Sequence, residues 1–370
     1  MIRIRVIDRG AYKEYFLTAV AGGGSAKRLF GELASVISKR RIVAIQEIAY
    51  GLERDRGRVL AARNKAYRSR GLDAAVPVTY VQGEPLEKCD AAGARIWGIR
   101  MKSGEPAPVT TVKCPGALRG RLWEGEGFRL LYLPEVLGSG AMGAPRQAER
   151  MFWNAQRALE AYGFSYSCVV RTWIYIKRLL DWYDDFNRVR NALYRRRDFL
   201  GRGHAAVLPA STGIQGSVRR AECAMDVLAV DAKKGGGVDF RPVLKTARQG
   251  QAFAYRSAFS RAMVLRAGGR KTIHVSGTAS IDGKGDTVFC GDPEAQSRQT
   301  LDSVLAILKE QGAGPKDILS ATLYCKDREA YAGWRRHVRR RRLPALPVVA
   351  VIGDVCRPDL LVELEAVAAV

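Results

Sequence analysis

The chain has 370 residues, 47% hydrophobic and 26% charged, enough for two or three globular domains. Its net charge of +24 favours an anionic partner such as nucleic acid, acidic lipid or a small polycarboxylate, without naming one. No run of about 18 apolar residues is present to span a membrane, and the alternating start MIRIRVIDRGAYKEYF lacks the continuous apolar stretch of a secretory signal.

In chain order, IRIRVID and EYFLTAVA alternate apolar and polar residues and predict a hairpin. SAKRLFGELASVISKRR has helical periodicity with Ser25 as N-cap. A strand (IVAIQEIAYG), a helix (RVLAARNKAYRSRG) and two strands (VPVTYVQGEPL, ARIWGIRM) follow. PAPVTTVKCPG (106–116) is expected as a linker. Residues 156–177 then give a helix, a glycine stop at Gly163 and a strand ending in Tyr175-x-Lys177. Residues 305–326 repeat that order, with Gly312, Tyr324 and Lys326. Each copy continues with a second helix, a proline-bounded strand (208–216 or 346–354) and a last strand, ECAMDVLAV or LVELEAVAA, which sets Asp226 opposite Glu363. KKGGGVDF (233–240) reads as another linker.

The repeat predicts an α+β chain of three tandem β-β-α-β-α-β-β modules, over 1–112, 113–235 and 236–370. Two helices cover only one face of each sheet, so the other faces are expected to bury against one another as an intrachain pseudo-trimer. Seven scattered cysteines without a CxxC pair favour a reducing cytoplasm over a disulfide framework. His204, His274 and His337 show no ligand spacing, so no metal is expected. SGTASIDGKG (276–285) has no Walker lysine-serine pair and is not a phosphate loop; its DGKG reads as a hairpin turn.

The module order, with SGTASIDGKGDT, GDPEAQSRQTLDSVLAILKEQGA and LLVELEA in the third module, resembles the RidA/YjgF family of homotrimers with sites between subunits. FSRA before SGTASI, RTWIYI in the middle module, and the closing GDVCR-x-DLLVE-x-E resemble the chorismatases, larger proteins on the same RidA-like fold. RidA deaminases carry an arginine fifteen residues before their key glutamate; here that position is Val348, which argues against imine or enamine deamination. Chorismatases carry a cysteine seven residues before the catalytic glutamate, and Cys356 and Glu363 have that spacing. Within that family, cysteine there goes with the subtype making 3-hydroxybenzoate. YRSAFSRA is shorter than the corresponding chorismatase stretch, which holds a further arginine; Arg256 is a candidate replacement.

In the last strand, alternation sets Leu361, Glu363, Glu365 and Val367 on one face. Burial and mutual repulsion raise a carboxyl's pKa, so one glutamate of the pair can stay protonated and serve as a general acid. The resemblance implies that Glu363 protonates the enol ether of chorismate, with Cys356 beside it, and that pyruvate leaves. It implies no cofactor. A dicarboxylate substrate calls for clamps: Arg261 with Tyr255, and Arg171 from the middle module. Thr212 and Gly213, Ser276 and Gly277 are expected to line the cleft, with Glu365 and Ser260 behind them. Arg357 reads equally as a surface or interface ion pair. Only the third module carries both glutamate and cysteine, so one active cleft, between the second and third modules, is expected. The chain is expected to be a cytoplasmic monomer or a loose homo-oligomer. A rival reading comes from WRRHVRRRR (334–342) and YRRRDFLGRGH (194–204), which together would form a basic RNA-binding or ribonuclease surface. A RidA-like deaminase is the other alternative.

Overall fold

The computed structural model describes residues 1–138, 140, 142–196, 208–216, 221–232, 236–267 and 269–370. The first unit runs β1 (Ile2–Asp8), β2 (Tyr12–Val20), α1 (Ala26–Arg40), β3 (Val43–Gly51), α2 (Arg56–Arg68), β4 (Thr79–Gln82) and β5 (Gly93–Met101). Its sheet order is β1-β2-β5-β3-β4. The second comprises β6 (Val109–Lys113), β7 (Arg119–Gly125), β8 (Phe128–Leu137), α3 (Ala144–Glu160), β9 (Val169–Ile176), α4 (Leu179–Leu193), β10 (Ala210–Gln215) and β11 (Cys223–Ala232), ordered β10-β9-β11-β8-β7-β6. The third comprises β12 (Asp239–Val243), β13 (Ala262–Ala267), β14 (Arg270–Ala279), α5 (Pro293–Glu310), β15 (Ile318–Cys325), α6 (Arg328–Arg340), β16 (Val348–Ile352) and β17 (Val362–Ala369), ordered β12-β13-β14-β17-β15-β16. The architecture is three tandem RidA-like α+β modules.

Local chemistry sets the element ends. The Ser25 hydroxyl accepts the Arg28 N–H at the start of α1. Asp292 caps α5, with Pro293 in its first turn, and Asp327 caps α6. Gly163 and Gly312, at φ of 74° and 82°, take the left-handed turn that ends α3 and α5. No helix among the described residues is long and apolar enough to cross a membrane.

The two segments expected as linkers hold strands instead. β6 lies within 106–116, and β12 starts at Asp239; residues 233–235 lie outside the described residues. Each pairs antiparallel with the following strand, β7 or β13, and extends the sheet edge. A sheet edge offers unpaired N–H and C=O groups, and a connecting segment that satisfies them is held there. The second sheet therefore begins at Val109, inside the expected first module.

The helices of each unit cover one face, with α5 burying Leu301, Val304, Ile307 and Leu308 against β14, β15 and β17. Each such side chain is worth roughly 1.5–3 kcal/mol when fully buried. The other three faces meet in a shared core that includes Ile48, Trp173, Tyr175, Met263 and Tyr324. Strand registers give the internal symmetry. Tyr50 pairs with Gly93, Tyr175 with Ala224 and Tyr324 with Glu363. Two residues further along each strand, Ile48 pairs with Arg95, Trp173 with Asp226 and Thr322 with Glu365. Asp226 thus occupies the place of Glu365, not of Glu363 as expected. Residues two apart share a face, so alternation alone could not separate the two alignments.

Candidate active site

Glu363 and Glu365 both point from β17 into the interface of the second and third modules and are 3% and 1% exposed. Their surroundings differ sharply. Glu365 Oε2 accepts from Arg171 Nη2 of β9 at 2.7 Å and from Thr212 Oγ1 of β10 at 2.6 Å. Its Oε1 faces Arg95 Nη1 of β5 at 3.1 Å and accepts from Thr322 Oγ1 at 3.0 Å. One carboxylate therefore ties together side chains of all three modules. Burial alone would raise its pKa, but the guanidiniums of Arg95 and Arg171 outweigh burial and hold it below the usual glutamate range.

Glu363 has no hydrogen-bond partner among the described residues. Burial, reinforced by the Glu365 charge, pushes its carboxyl up to about 8, against the weaker opposing pull of Arg171. It is therefore protonated at neutral pH. It borders a cleft lined also by Tyr183, Arg190, Tyr255, Arg261, Cys356 and Arg357. A raised carboxyl beside an ionised one is the arrangement that separates acid from structural roles in paired-carboxylate sites.

The bulge in β14 makes room for it. The β14–β17 register slips between Val275 and Thr278, so Ser276 and Gly277 together face Glu365. A β-carbon at Gly277 would collide with Glu363 Oε1. The Gly277 N–H donates to Thr212 Oγ1 at 3.0 Å. Ser276 Oγ accepts from Ser211 N and donates to the Ser260 carbonyl, which fastens β10 of the second module to the third.

The structure brings Glu363, Cys356, Arg261, Tyr255, Gly213 and Gly277 together around the cleft. Thr212, Ser276 and Ser260 sit behind it as fasteners, the Ser260 N–H donating to the Pro209 carbonyl. Arg171 is directed into the ion pair with Glu365 and stacks over Trp173, so its guanidinium does not face the cleft. Arg261 bonds the Gly250 carbonyl through Nε and Nη2, at 3.0 and 2.8 Å, and lies over the Tyr255 and Phe259 rings. Cys356 is raised to about 12 by burial first and by Glu363 next, which leaves a neutral thiol at the wall rather than a thiolate nucleophile. Arg357 forms no ion pair among the described residues: it donates to the Gly285 carbonyl at 2.6 Å and approaches the Tyr255 ring. Val348 packs with the aliphatic core of the third module.

Arg190 was not foreseen. It projects from α4, is 2% exposed, and bonds Asn187 Oδ1 at 2.6 Å while passing over Phe186 and Phe259. The signal was present in the internal repeat, because VRNALY (189–194) matches ARNKAY (62–67) and aligns Arg190 with Arg63. Arg63 is neutralised by Glu47 at 2.6 Å. Arg190, Arg261 and Arg357 have no carboxylate partner among the described residues, so the cleft wall carries uncompensated positive charge.

The other two interfaces carry no glutamate at the position of Glu363. Between the first and second modules, β8 bulges at the same place but holds Pro134 and Glu135. Glu135 pairs with Arg56 at 2.8 Å and accepts the Tyr80 N–H at 3.1 Å. Asp226 there accepts from Thr79, Tyr132 and the Glu135 N–H, at 2.7, 2.7 and 2.8 Å. At the position of Glu363 stand Ala224 and Gly93, and a β-carbon on Gly93 would meet the Ala19 carbonyl. On the basic helix α6, Arg336 and Arg340 pair with Glu294, and Arg341 with Asp302. The matching segment 194–204 lies, from 197 onward, outside the described residues.

Three sheet-and-helix units closed on one another, with a raised carboxyl in the cleft between the second and third, define the class: a one-chain trimer of RidA-like modules. Comparison with known proteins agrees. The family described as endoribonuclease L-PSP matches residues 249–370. A RutC family protein of Pyrococcus abyssi is 31% identical over 97 residues, 26% of this chain and 76% of that protein. The chain belongs to this RidA/YjgF family. A chorismatase of Streptomyces rapamycinicus is 29% identical over 226 residues, and a 3-hydroxybenzoate synthase of Streptomyces hygroscopicus 30% identical over 235. Each match takes in 55% of this chain, and the chain spans 65% and 64% of those two relatives, a little under two thirds. A chorismatase crystal structure superposes with a TM-score of 0.63 at 20% identity, over 88% of this chain and 92% of that one, which extends the likeness in fold to nearly the whole molecule.

Proposed function

We propose that this protein is a chorismatase-like enzyme that releases pyruvate from chorismate or a related enolpyruvyl acid. The observation that carries the reading is the Glu363 carboxyl: buried, without a hydrogen-bond partner among the described residues, raised to about 8, and facing a cleft with three arginines free of carboxylate partners. The similarity to a chorismatase and a 3-hydroxybenzoate synthase supports the choice of substrate.

In this reading Glu363 gives its proton to the terminal methylene of the enol ether, which becomes a methyl group. The positive charge that develops is an oxocarbenium carbon. Water or the substrate's own hydroxyl adds to that carbon and returns a proton to the Glu363 carboxylate. With water, the hemiketal collapses by breaking its bond to the ring ether oxygen, which takes a proton, and leaves pyruvate and a dihydroxycyclohexadiene carboxylate. With the substrate's own hydroxyl, the cyclic ketal loses that bond, a ring proton and the ring-carbon bond of the attacking oxygen, which departs as the carbonyl oxygen of pyruvate and leaves a hydroxybenzoate. Arg261, Arg190 and Arg357 receive the two substrate carboxylates, for which the planar guanidinium is well shaped. Tyr255 holds Arg261 in place through its ring face. Cys356 acts by shape and neutrality, as part of the wall.

The test is pyruvate release from chorismate, followed by a coupled assay, for wild type and Glu363→Gln. Release by the wild type and its loss in the variant are expected, and chromatography of the organic product identifies the isomer. A wild type that releases nothing removes chorismate as substrate; a variant that keeps full activity removes Glu363 as the acid.

A further inference from the structure

A second cavity lies within the shared core, on the three inner sheet faces and apart from the cleft. It takes its walls from all three modules. Trp97 of β5, Trp123 of β7 and Trp173 of β9 line it, together with Arg95, His274 and Arg9. By strand register it sits at the opposite end of the core from Tyr50, Tyr175 and Tyr324, because Gln46 and Ser320, also in its wall, lie four residues before Tyr50 and Tyr324 on their strands.

Two observations point to a ligand. The first is unmet hydrogen bonding. Arg95 Nε, Trp173 Nε1 and His274 Nδ1 are buried and have no partner among the described residues, and their residues are 5%, 3% and 5% exposed. The first two atoms can only donate. Buried donors left empty are rare, and several in the wall of one cavity call for an acceptor inside it. The second is charge. Arg9 pairs with Glu14 at 2.9 Å, while Arg95 and Arg171 share the single carboxylate of Glu365. His274 is held neutral by burial first, then by the charges of Arg171 and Arg9. Three guanidiniums thus face two carboxylates, and one positive charge is left over.

We propose that this axial cavity is a second binding site, for a small planar monocarboxylate. Its ring lies among the three tryptophans, and its oxygens accept from Arg95 Nε and Trp173 Nε1 and meet the His274 imidazole. An aromatic acid made in the cleft and one supplied from outside share this chemistry. The site stands whether or not the cleft cleaves chorismate, because none of its lining residues belongs to the cleft.

Benzoate is the first probe and 3-hydroxybenzoate the second. Each is titrated into the full chain while tryptophan fluorescence is followed. Saturable quenching is expected, together with a melting temperature that rises with ligand concentration. Ala267→Phe, which fills the cavity from β13, and Trp173→Phe, which removes one donor, are each expected to weaken binding tenfold or more; Glu363→Gln is expected to leave it unchanged. Tighter binding of 3-hydroxybenzoate than benzoate would assign the site to a hydroxylated aromatic acid, and equal binding to aromatic acids in general; either supports the site. No saturable quenching in the wild type means that water fills the cavity and overturns the proposal. Quenching lost in Glu363→Gln but kept in Ala267→Phe places the ligand in the cleft and overturns it as well.

Discussion

Glu363 and Glu365 stand two residues apart on one strand face, yet their protons are held in opposite ways. Glu365 has two guanidiniums and two hydroxyls; Glu363 has a cleft, a thiol and a like charge. The consequence is measurable in stability. A carboxyl whose folded-state pKa lies above its unfolded value binds its proton more tightly in the folded chain. Its stabilising contribution is full at low pH and is lost as pH rises from about 4.5 through about 8. Glu363→Gln is permanently neutral and escapes that loss. Thermal melts of wild type and variant should therefore diverge in favour of the variant across this window; a difference that stays constant would show Glu363 already ionised at neutrality. Alternation in LVELEAVAA sufficed to set both glutamates on one buried face. The sequence could not show that Arg95, two modules earlier, supplies half the neutralisation of Glu365, because a pairing between strands so far apart leaves no local pattern. For the same reason Arg171 reads from sequence as a substrate clamp while its guanidinium is taken up by Glu365.

At the level of elements, the helices and their ends were the most legible part of the chain. Ser25 and the stops at Gly163 and Gly312 are local signals, and each sits where its backbone geometry requires. Edge strands β6 and β12 were not legible, since a short polar-apolar stretch between two turns becomes a strand only when a neighbour offers its edge. Bulges were equally silent. Ser276-Gly277 in β14 and Pro134-Glu135 in β8 interrupt the same rung of two related sheets, with different results: one leaves room for the Glu363 carboxyl, the other holds an Arg56–Glu135 pair. Gly277→Ala tests this directly. The φ at Gly277 is not positive, so the backbone tolerates alanine and the melt should remain cooperative. Its methyl group must displace the Glu363 carboxyl, and a displacement of about 1 Å is enough to lower kcat roughly 100-fold. A fully active Gly277→Ala enzyme would mean that Glu363 works from another position.

For the whole molecule, the three modules are held as one body by ion pairs at their common axis as well as by apolar packing. Arg95, Arg171, Thr212 and Thr322 all converge on Glu365. Removing that carboxylate leaves two buried guanidiniums without a counter-charge, a defect that costs about 3–5 kcal/mol. Glu365→Ala should accordingly lower the free energy of unfolding, read from a denaturant titration, by that amount in a single transition. A loss below about 1 kcal/mol would show that apolar contacts alone join the modules. The pseudo-threefold plan was legible from the repeat, since a sheet with two helices has one face left to bury. The restriction of the acid to one interface was not, because it depends on Gly93 and Ala224 standing where Glu363 stands in the third module, and no local pattern marks that difference.

The three corresponding rungs carry Gly93, Ala224 and Glu363. In a homotrimer every codon is read into all three interfaces, so a residue that improves the chemistry of one must be tolerated structurally by the others. Joining the copies in tandem removes that constraint. Each rung here is spelled separately, and a substitution is felt once instead of in triplicate. Two interfaces are thereby free to act as scaffold, and the third is free to hold an unpaired buried acid that three copies of the same module would have to carry together.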